Sequence, residues 1–246
     1  MTDGSSTEVR VILLAGGTGT RLRPLTTVFP KPLMPLGEKP VVEILLRQLA
    51  SYDLRKITLS TGYLAPLLRA VVGDGSQYGV EVSYSHEEQP LGTAGPLALV
   101  RDQLTEPFMV MNGDLLTTLS FTRLLAHHRQ ENADLTLALY GRKVVIDFGV
   151  VDTEDGGTYV GYREKPTYHY DVSMGVYAMS RSVMDHVPQG TRLDMPDLVR
   201  RIHAAGGRVA CYRESCYWLD IGRMDDYALA QEQYAANAEM FLRGSV

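Results

Sequence analysis

VILLAGGTGTRLRPLTTVFPKPLMP, residues Val11 to Pro35, runs four apolar residues straight into a glycine cluster and later reaches the basic sequence Pro30-Lys31-Pro32. The apolar run Val9 to Ala15 is the pattern of a strand buried on both faces, and Gly16 stops it. A P-loop requires GK[ST] at its end, where this loop has Thr20-Arg21-Leu22. A dinucleotide fingerprint requires a sixth-position glycine, and counting from Gly17 that place holds Leu22. What remains is a strand followed by Gly16, Gly17 and Gly19, bare enough for backbone N–H groups to reach an anion. Arg21 adds a forked donor and Lys31 a point charge. A tight turn with solvated basic residues is the plainer alternative; placement at a strand's carboxyl end with two cations favours anion binding.

Outward from this stretch the pattern alternates. In Pro40 to Tyr52, Val42, Leu45, Leu46 and Leu49 recur at helical spacing, with Pro40 near the first turn. Strands are expected at Lys56–Ser60, Val80–Tyr84 and Phe108–Met111, and helices at Leu64–Val72, Ala94–Gln103 and Phe121–Glu131. This βαβα order predicts an α/β fold with a mostly parallel sheet, helices on both faces, and ligands at the carboxyl ends of the strands. After Asp134 the texture turns to closely spaced β patterns, LTLALY, GVVDT, YVGYREK and VSMGVYAMS, which predict a partly antiparallel insertion built onto the sheet. Helical pattern returns at Met195–Ala204 and Met224–Met240, around a short strand at Arg208–Tyr212. No linker divides the chain.

Composition narrows the partners. The 246 residues suffice for one elaborated domain, and a net charge of -5 argues against a nucleic-acid surface. Cys211 and Cys216, spaced C-x4-C, make neither a disulfide framework nor a zinc pattern. MTDGSSTEVR lacks the apolar core of a leader, and no apolar run approaches the ~20 residues that span a bilayer. A cytoplasmic protein with small-molecule partners and no membrane association is expected. The six histidines form no catalytic set; His127 and His128, on one helical pattern, are expected at the surface or an edge.

LLAGGTGTRLRPLTTVFPKPLMPLGEKP resembles the signature of the sugar-1-phosphate nucleotidylyltransferases, or NDP-sugar pyrophosphorylases, roughly GGxGTRLxPLTxxxPKPLxPL. The resemblance extends over nearly the whole chain, because LGTAGPL, NGD, FGVV, REKP, SMGVY and WLDIG follow in the family's order. The members it is most similar to are of the mannose-1-phosphate guanylyltransferase type. It implies a Rossmann-like core and transfer of a nucleotidyl group from an NTP to a sugar or cyclitol 1-phosphate, releasing pyrophosphate. One domain over residues 1–246 is expected: a nucleotide-binding half at about 8–133, a sugar-binding half at about 134–222, and a C-terminal helix over 223–246. The left-handed β-helix domain of many relatives is expected to be lacking.

The resemblance gives Arg21 and Lys31 catalytic roles, Arg21 on the triphosphate side and Lys31 between the α-phosphate and the sugar phosphate. It assigns nucleotide binding to Leu14, Ala15, Gly16, Gly17, Gly19, Thr20, Glu87, Pro90, Gly92, Thr93, Asn112 and Gly113. Asp114 and Asp220 match the two metal-aspartate motifs, and Mg2+, which takes one or two carboxylates plus substrate phosphates, is the expected ion. On local sequence alone, Asp114 reads equally as a turn or helix cap and Asp220 as a turn residue. Glu164 and Lys165, a bare surface pair without the resemblance, become contacts to sugar phosphate, with Gly149, Ser173 and Gly175 beside them. Ser173 stands where guanylyltransferases usually have Asn, and Asp147-Phe148 where they have a Lys/Arg-Tyr pair, which leaves the sugar open.

Guanine presents N1–H and N2–H2 as adjacent donors, which a carboxylate accepts; uracil and thymine suit an amide. Glu87 lies five positions before Gly92, where thymidylyl and uridylyl members commonly have Gln. GTP is therefore the expected nucleotide; dTTP, UTP or another NTP is the alternative within the class. A catalytically silent subunit that only binds a nucleotide sugar is the alternative outside it. A homodimer through exposed antiparallel strands is a further expectation.

Overall fold

The computed structural model describes residues 8–17 and 19–242. The leader reading at residues 1–7, Thr18 of the glycine loop and residues 243–246 of the last helix lie outside it. In chain order come β1 (Arg10–Ala15), β2 (Pro35–Leu36), β3 (Lys39–Pro40), α1 (Val41–Ser51), β4 (Lys56–Thr61), α2 (Ala65–Val72), β5 (Glu81–His86) and β6 (Phe108–Asn112). Next are β7 (Leu115–Thr117), α3 (Phe121–Gln130), β8 (Leu135–Val145), β9 (Val150–Thr153) and β10 (Tyr159–Arg163). The chain closes with β11 (Thr167–Met179), α4 (Met195–Ala204), β12 (Val209–Arg213), β13 (Trp218–Asp220) and α5 (Met224–Leu242).

Seven strands form one sheet in the order β12-β8-β11-β6-β1-β4-β5. β1 pairs parallel with β4 and β6, β4 with β5, and β12 with β8; β11 runs antiparallel to both of its neighbours. The sheet is the mixed, mostly parallel one that the alternation predicts. Side chains of β1 alternate between two cores, because successive residues of a strand point to opposite faces. Val11 and Leu13 pack with α1, α2 and α3 side chains, whereas Ile12 packs with the segment after β5 and with α4. All three are fully buried, and each such side chain stabilises the fold by about 1.5–3 kcal/mol.

Local sequence explains the helix starts. Extended Pro40 precedes α1, the Ser120 side chain accepts from the Arg123 N–H at the start of α3, and Pro196 occupies the first turn of α4. The expected helix at Ala94–Gln103 is a 3-10 helix over Gly95–Gln103, its start tied by the Ala94 and Gly95 amides to the Leu193 carbonyl at 2.9 and 3.0 Å. α5 reaches Leu242 across a kink at Asn237.

The antiparallel insertion is built onto the central sheet as expected, and its strands run longer than the patterns LTLALY and VSMGVYAMS mark. β8 and β11 belong to the central sheet, continue beyond it as a two-stranded arm, and carry the separate β9–β10 hairpin between them. His128 is corrected: it is 2 % exposed, with Nδ1 2.9 Å from Thr136 Oγ1 and Nε2 3.2 Å from Ser180 Oγ. Both partners lie on or just after strands of the sheet, so the helix pattern alone did not reveal them. His127 is partly exposed, its ring 5.2 Å from that of Tyr212.

Candidate active site

Four parallel strands end around one cleft of about 720 Å³. β1 contributes Leu14 and Ala15 and leads into Gly16 and Gly17; Gly62 follows β4, Glu87 follows β5, and Asn112 ends β6. Pro90, Gly92 and Thr93 complete the expected nucleotide residues in its lining, and Lys31 and Asp114 lie at the same cleft. The glycine at 16 is required by close approach, because a Cβ there would stand 2.6 Å from Glu87 Oε1. Gly113 sits just outside the lining, and its N–H donates to the Leu14 carbonyl at 2.9 Å, tying the ends of β1 and β6.

The arm that leaves the glycine loop is pinned at both ends. Gly19 takes a left-handed φ of +60°, and its carbonyl accepts from Thr26 Oγ1 at 2.7 Å. Thr20 and Arg21 are exposed, while Leu22 is buried beneath them. Arg21 is not in the cleft lining; its guanidinium lies beside Gly222 and adjusts the charge environment of Asp220. At the far end, Lys31 opens a 3-10 turn and its ammonium donates to Asp114 Oδ2, with Asp220 Oδ1 3.8 Å away.

A short antiparallel pairing brings the two aspartates together. β7 and β13 register Leu115 against Asp220, and the Ile221 N–H donates to the Asp114 carbonyl at 3.1 Å. Asp114 Oδ1 and Asp220 Oδ1 are buried without a hydrogen-bond partner. Burial, then the neighbouring Asp114 carboxylate, pushes the Asp220 carboxyl above its ordinary range, against the pull of Lys31 and Arg21. Two orphaned carboxylate oxygens beside one ammonium make an anionic pocket of hard donors, which fits a divalent cation.

Glu87 is held in place by its own loop. Its Oε2 accepts from the Leu91 N–H at 2.8 Å, and Ser60 Oγ lies 3.5 Å from Oε1. Burial raises its carboxyl above the ordinary value, opposed by these two hydrogen bonds. Gly92 has a φ of +81°, and a Cβ there would come within 2.5 Å of the Leu193 carbonyl. The loop is thereby packed against the segment that starts α4: the Leu193 N–H donates to Leu91 O at 2.9 Å and the Met195 N–H to Thr93 Oγ1 at 2.7 Å.

The expected sugar-side residues divide into two groups. Ser173 Oγ lies 3.1 Å from Tyr177 Oη and accepts from the Gly175 N–H at 3.3 Å; a Cβ on Gly175 would stand 2.5 Å from Asn112 Nδ2. These residues therefore adjoin the cleft. Gly149, Glu164 and Lys165 sit on the exposed arm, outside its lining. Tyr162 lies across Gly149 and donates to Glu164 Oε2 at 3.1 Å, and Lys165 holds a left-handed φ of +44°.

The cleft also includes His86 and Glu88, which flank Glu87, and three residues that no motif indicated: Tyr63, Arg192 and Asp194. Asp194 before Met195-Pro196 carries a helix-start signal. Its contact with a loop 101 positions earlier, where Asp194 Oδ1 accepts from the Thr93 N–H at 3.1 Å, has no local signature.

The nucleotidyl transferase family profile matches residues 10–237. Over 227 residues the chain is 36% identical to a mannose-1-phosphate guanylyltransferase of Mycobacterium tuberculosis, covering 89% of this chain and 63% of that protein. It is 30% identical to a UTP–glucose-1-phosphate uridylyltransferase of Synechocystis, covering 89% of this chain and 61% of the relative. The chain thus spans less than two thirds of the length of these relatives. Its fold matches a putative glucose-1-phosphate thymidylyltransferase of Bacillus anthracis, with a TM-score of 0.74 at 23% identity over 92% of this chain and 94% of that one. With the profile covering all seven strands of the central sheet and both aspartates, the chain belongs to the nucleotidyl transferase family.

Proposed function

We propose that the protein transfers a nucleotidyl group from an NTP, with GTP favoured, to a sugar 1-phosphate, yielding an NDP-sugar and pyrophosphate. The observation that carries this reading is Lys31 ion-paired with Asp114 and Asp220, each keeping one buried oxygen without a hydrogen-bond partner, at the end of a glycine-lined cleft. An oxygen of the sugar phosphate attacks the α-phosphorus of the NTP; the bond to the bridging oxygen breaks, and pyrophosphate leaves with that electron pair. Both reactants are polyanions, so positioning and electrostatic stabilisation account for the acceleration. The amides around Gly16 and Gly17 take the triphosphate, and Lys31 exchanges its aspartate partner for phosphoryl oxygens where charge develops. Arg21, beside Asp220, serves the pyrophosphate side.

Asp114 and Asp220 would hold Mg2+, which supplies charge neutralisation at the phosphates when bound. Residues 8–133 form the nucleotide half, and residues 134–222 supply the sugar contacts at Ser173, Gly175, Gly149, Glu164 and Lys165. Guanine is favoured by Glu87, whose carboxylate is already oriented by the Leu91 amide and still has lone pairs for two further N–H donors. The relative of Mycobacterium tuberculosis makes mannose 1-phosphate the first acceptor to try. Among the described residues no helix is long and apolar enough to cross a membrane.

A matrix of GTP, UTP, dTTP and ATP against sugar 1-phosphates, with Mg2+, tests this by pyrophosphate release. Turnover is expected to be highest with GTP. A maximum with UTP or dTTP overturns the choice of base, and no release with any pair overturns the transfer itself.

A further inference from the structure

The cleft carries a cation that the reaction above leaves unused. Arg192 lines it, and its side chain is 69% exposed, facing only a loose ion pair to Asp194 Oδ2 at 3.7 Å. Lys31, by contrast, is committed to the aspartates. The Arg192 backbone is not loose. Leu193, the next residue, is buried and exchanges backbone hydrogen bonds with Leu91, Ala94 and Gly95, while Asp194 is tied to the Thr93 amide. The guanidinium is therefore presented by a segment packed against the loop that orients Glu87.

Glu87 is anchored at Leu91 and Asp194 at Thr93. Leu91 and Thr93 are two positions apart on one loop, and Glu87 and Arg192 both line the cleft, so an accepting and a donating side chain border the same space. Their chemistry is complementary to one base in particular. Guanine places the donors N1–H and N2–H2 on one edge and the acceptors O6 and N7 on the next, and the favoured partner of the O6/N7 edge is a forked arginine. Adenine offers N7 beside an amino donor that opposes the guanidinium, and pyrimidines lack N7 altogether.

We propose that Arg192 is a specificity-determining residue that donates to O6 and N7 of guanine, opposite Glu87 on the N1/N2 edge, an inference that rests on the guanylyl transfer proposed above. Discrimination then depends on two side chains from separate parts of the chain, one accepting and one donating. Inosine triphosphate keeps the edge read by Arg192 and lacks the 2-amino group read by Glu87. 7-Deaza-GTP lacks the N7 acceptor alone.

The test compares wild-type protein with Arg192→Ala and Arg192→Lys, using GTP, ITP and 7-deaza-GTP at a fixed sugar 1-phosphate, by pyrophosphate release. Wild-type protein should prefer GTP to 7-deaza-GTP. Arg192→Ala should lose on the order of 10-fold to 100-fold in kcat/KM for GTP and ITP alike, and should no longer distinguish GTP from 7-deaza-GTP. Arg192→Lys should not restore the preference, because a point charge cannot replace the fork. An unchanged thermal midpoint, expected for so exposed a side chain, separates this from unfolding. If wild-type protein uses GTP and 7-deaza-GTP equally, or Arg192→Ala keeps the wild-type preference, Arg192 is not the reader although guanylyl transfer stands. If wild-type protein uses pyrimidine nucleotides and no guanine nucleotide, both conclusions fall.

Discussion

The carboxyl ends of β1, β4, β5 and β6 lie above fully buried Val11, Ile12, Leu13 and Ile57, with a packed layer on each face of the sheet. In the arm, Val145, Phe148, Tyr159 and Tyr162 are each more than half exposed, and β9 pairs only with β10. A two-stranded ribbon has marginal stability in water. The cleft is therefore preformed by packing, whereas the arm holds its shape through paired side chains such as Tyr162 with Glu164 and Arg163 with Asp152. For the proposed transfer this division separates two tasks. The phosphate end needs fixed geometry, and the acceptor end needs exposed hydrogen-bonding groups.

The sharpest way to break the contrast is at Lys31. Lys31→Ala should lower kcat for pyrophosphate release by about 100-fold to 1000-fold, as for the loss of a transition-state donor, with an unchanged far-UV spectrum. Turnover within about 10-fold of wild type would remove Lys31 from the reacting centre. A paired substitution compares the two regions directly. Gly92 and Gly157 both have left-handed φ, +81° and +86°, but only Gly92 is crowded; nothing lies within 4 Å of a Cβ on Gly157. Gly92→Ala should cost about 3 kcal/mol of stability, from strain and overpacking together. Gly157→Ala should cost about 1 kcal/mol, from strain alone. Equal losses in denaturant unfolding would show that the cleft wall relaxes as readily as the arm.

The smallest effect concerns pH. Burial holds the His128 imidazole below its ordinary value of 6.5, so the folded state keeps it neutral while the unfolded state takes up a proton. Its contribution is complete above pH 6.5 and is lost as pH falls from there through the depressed folded value. The thermal midpoint of wild-type protein should fall between pH 7.5 and 5.5 by more than that of His128→Gln, about the same fall in both being the contrary result.

Much of the cleft was legible because its signals are local. The run into Gly16, the apolar strand before Asn112 and the spacing from Glu87 to Gly92 each fit within a few residues, and the structure brings these segments to one cleft. β8 and β11 run past the patterns LTLALY and VSMGVYAMS because residues 141–145 and 167–171 lie outside the core, so burial alternation no longer marks them as strand. His128 was misplaced because its reason for burial is Thr136 and Ser180, on other elements. Arg192 and Asp194 carried no motif, since their meaning comes only from the loop they meet.

The pairing of β7 with β13 has a consequence for synthesis. Asp220 reaches Asp114 through a contact only three residues long, and β13 follows every strand of the central sheet in the chain. As the polypeptide leaves the ribosome, the glycine loop, Lys31 and Asp114 emerge with most of the core still unmade. The anionic pocket is absent until the segment beyond residue 218 has docked. The pairing of the two carboxylates thus depends on a segment that is made only after every strand of the central sheet.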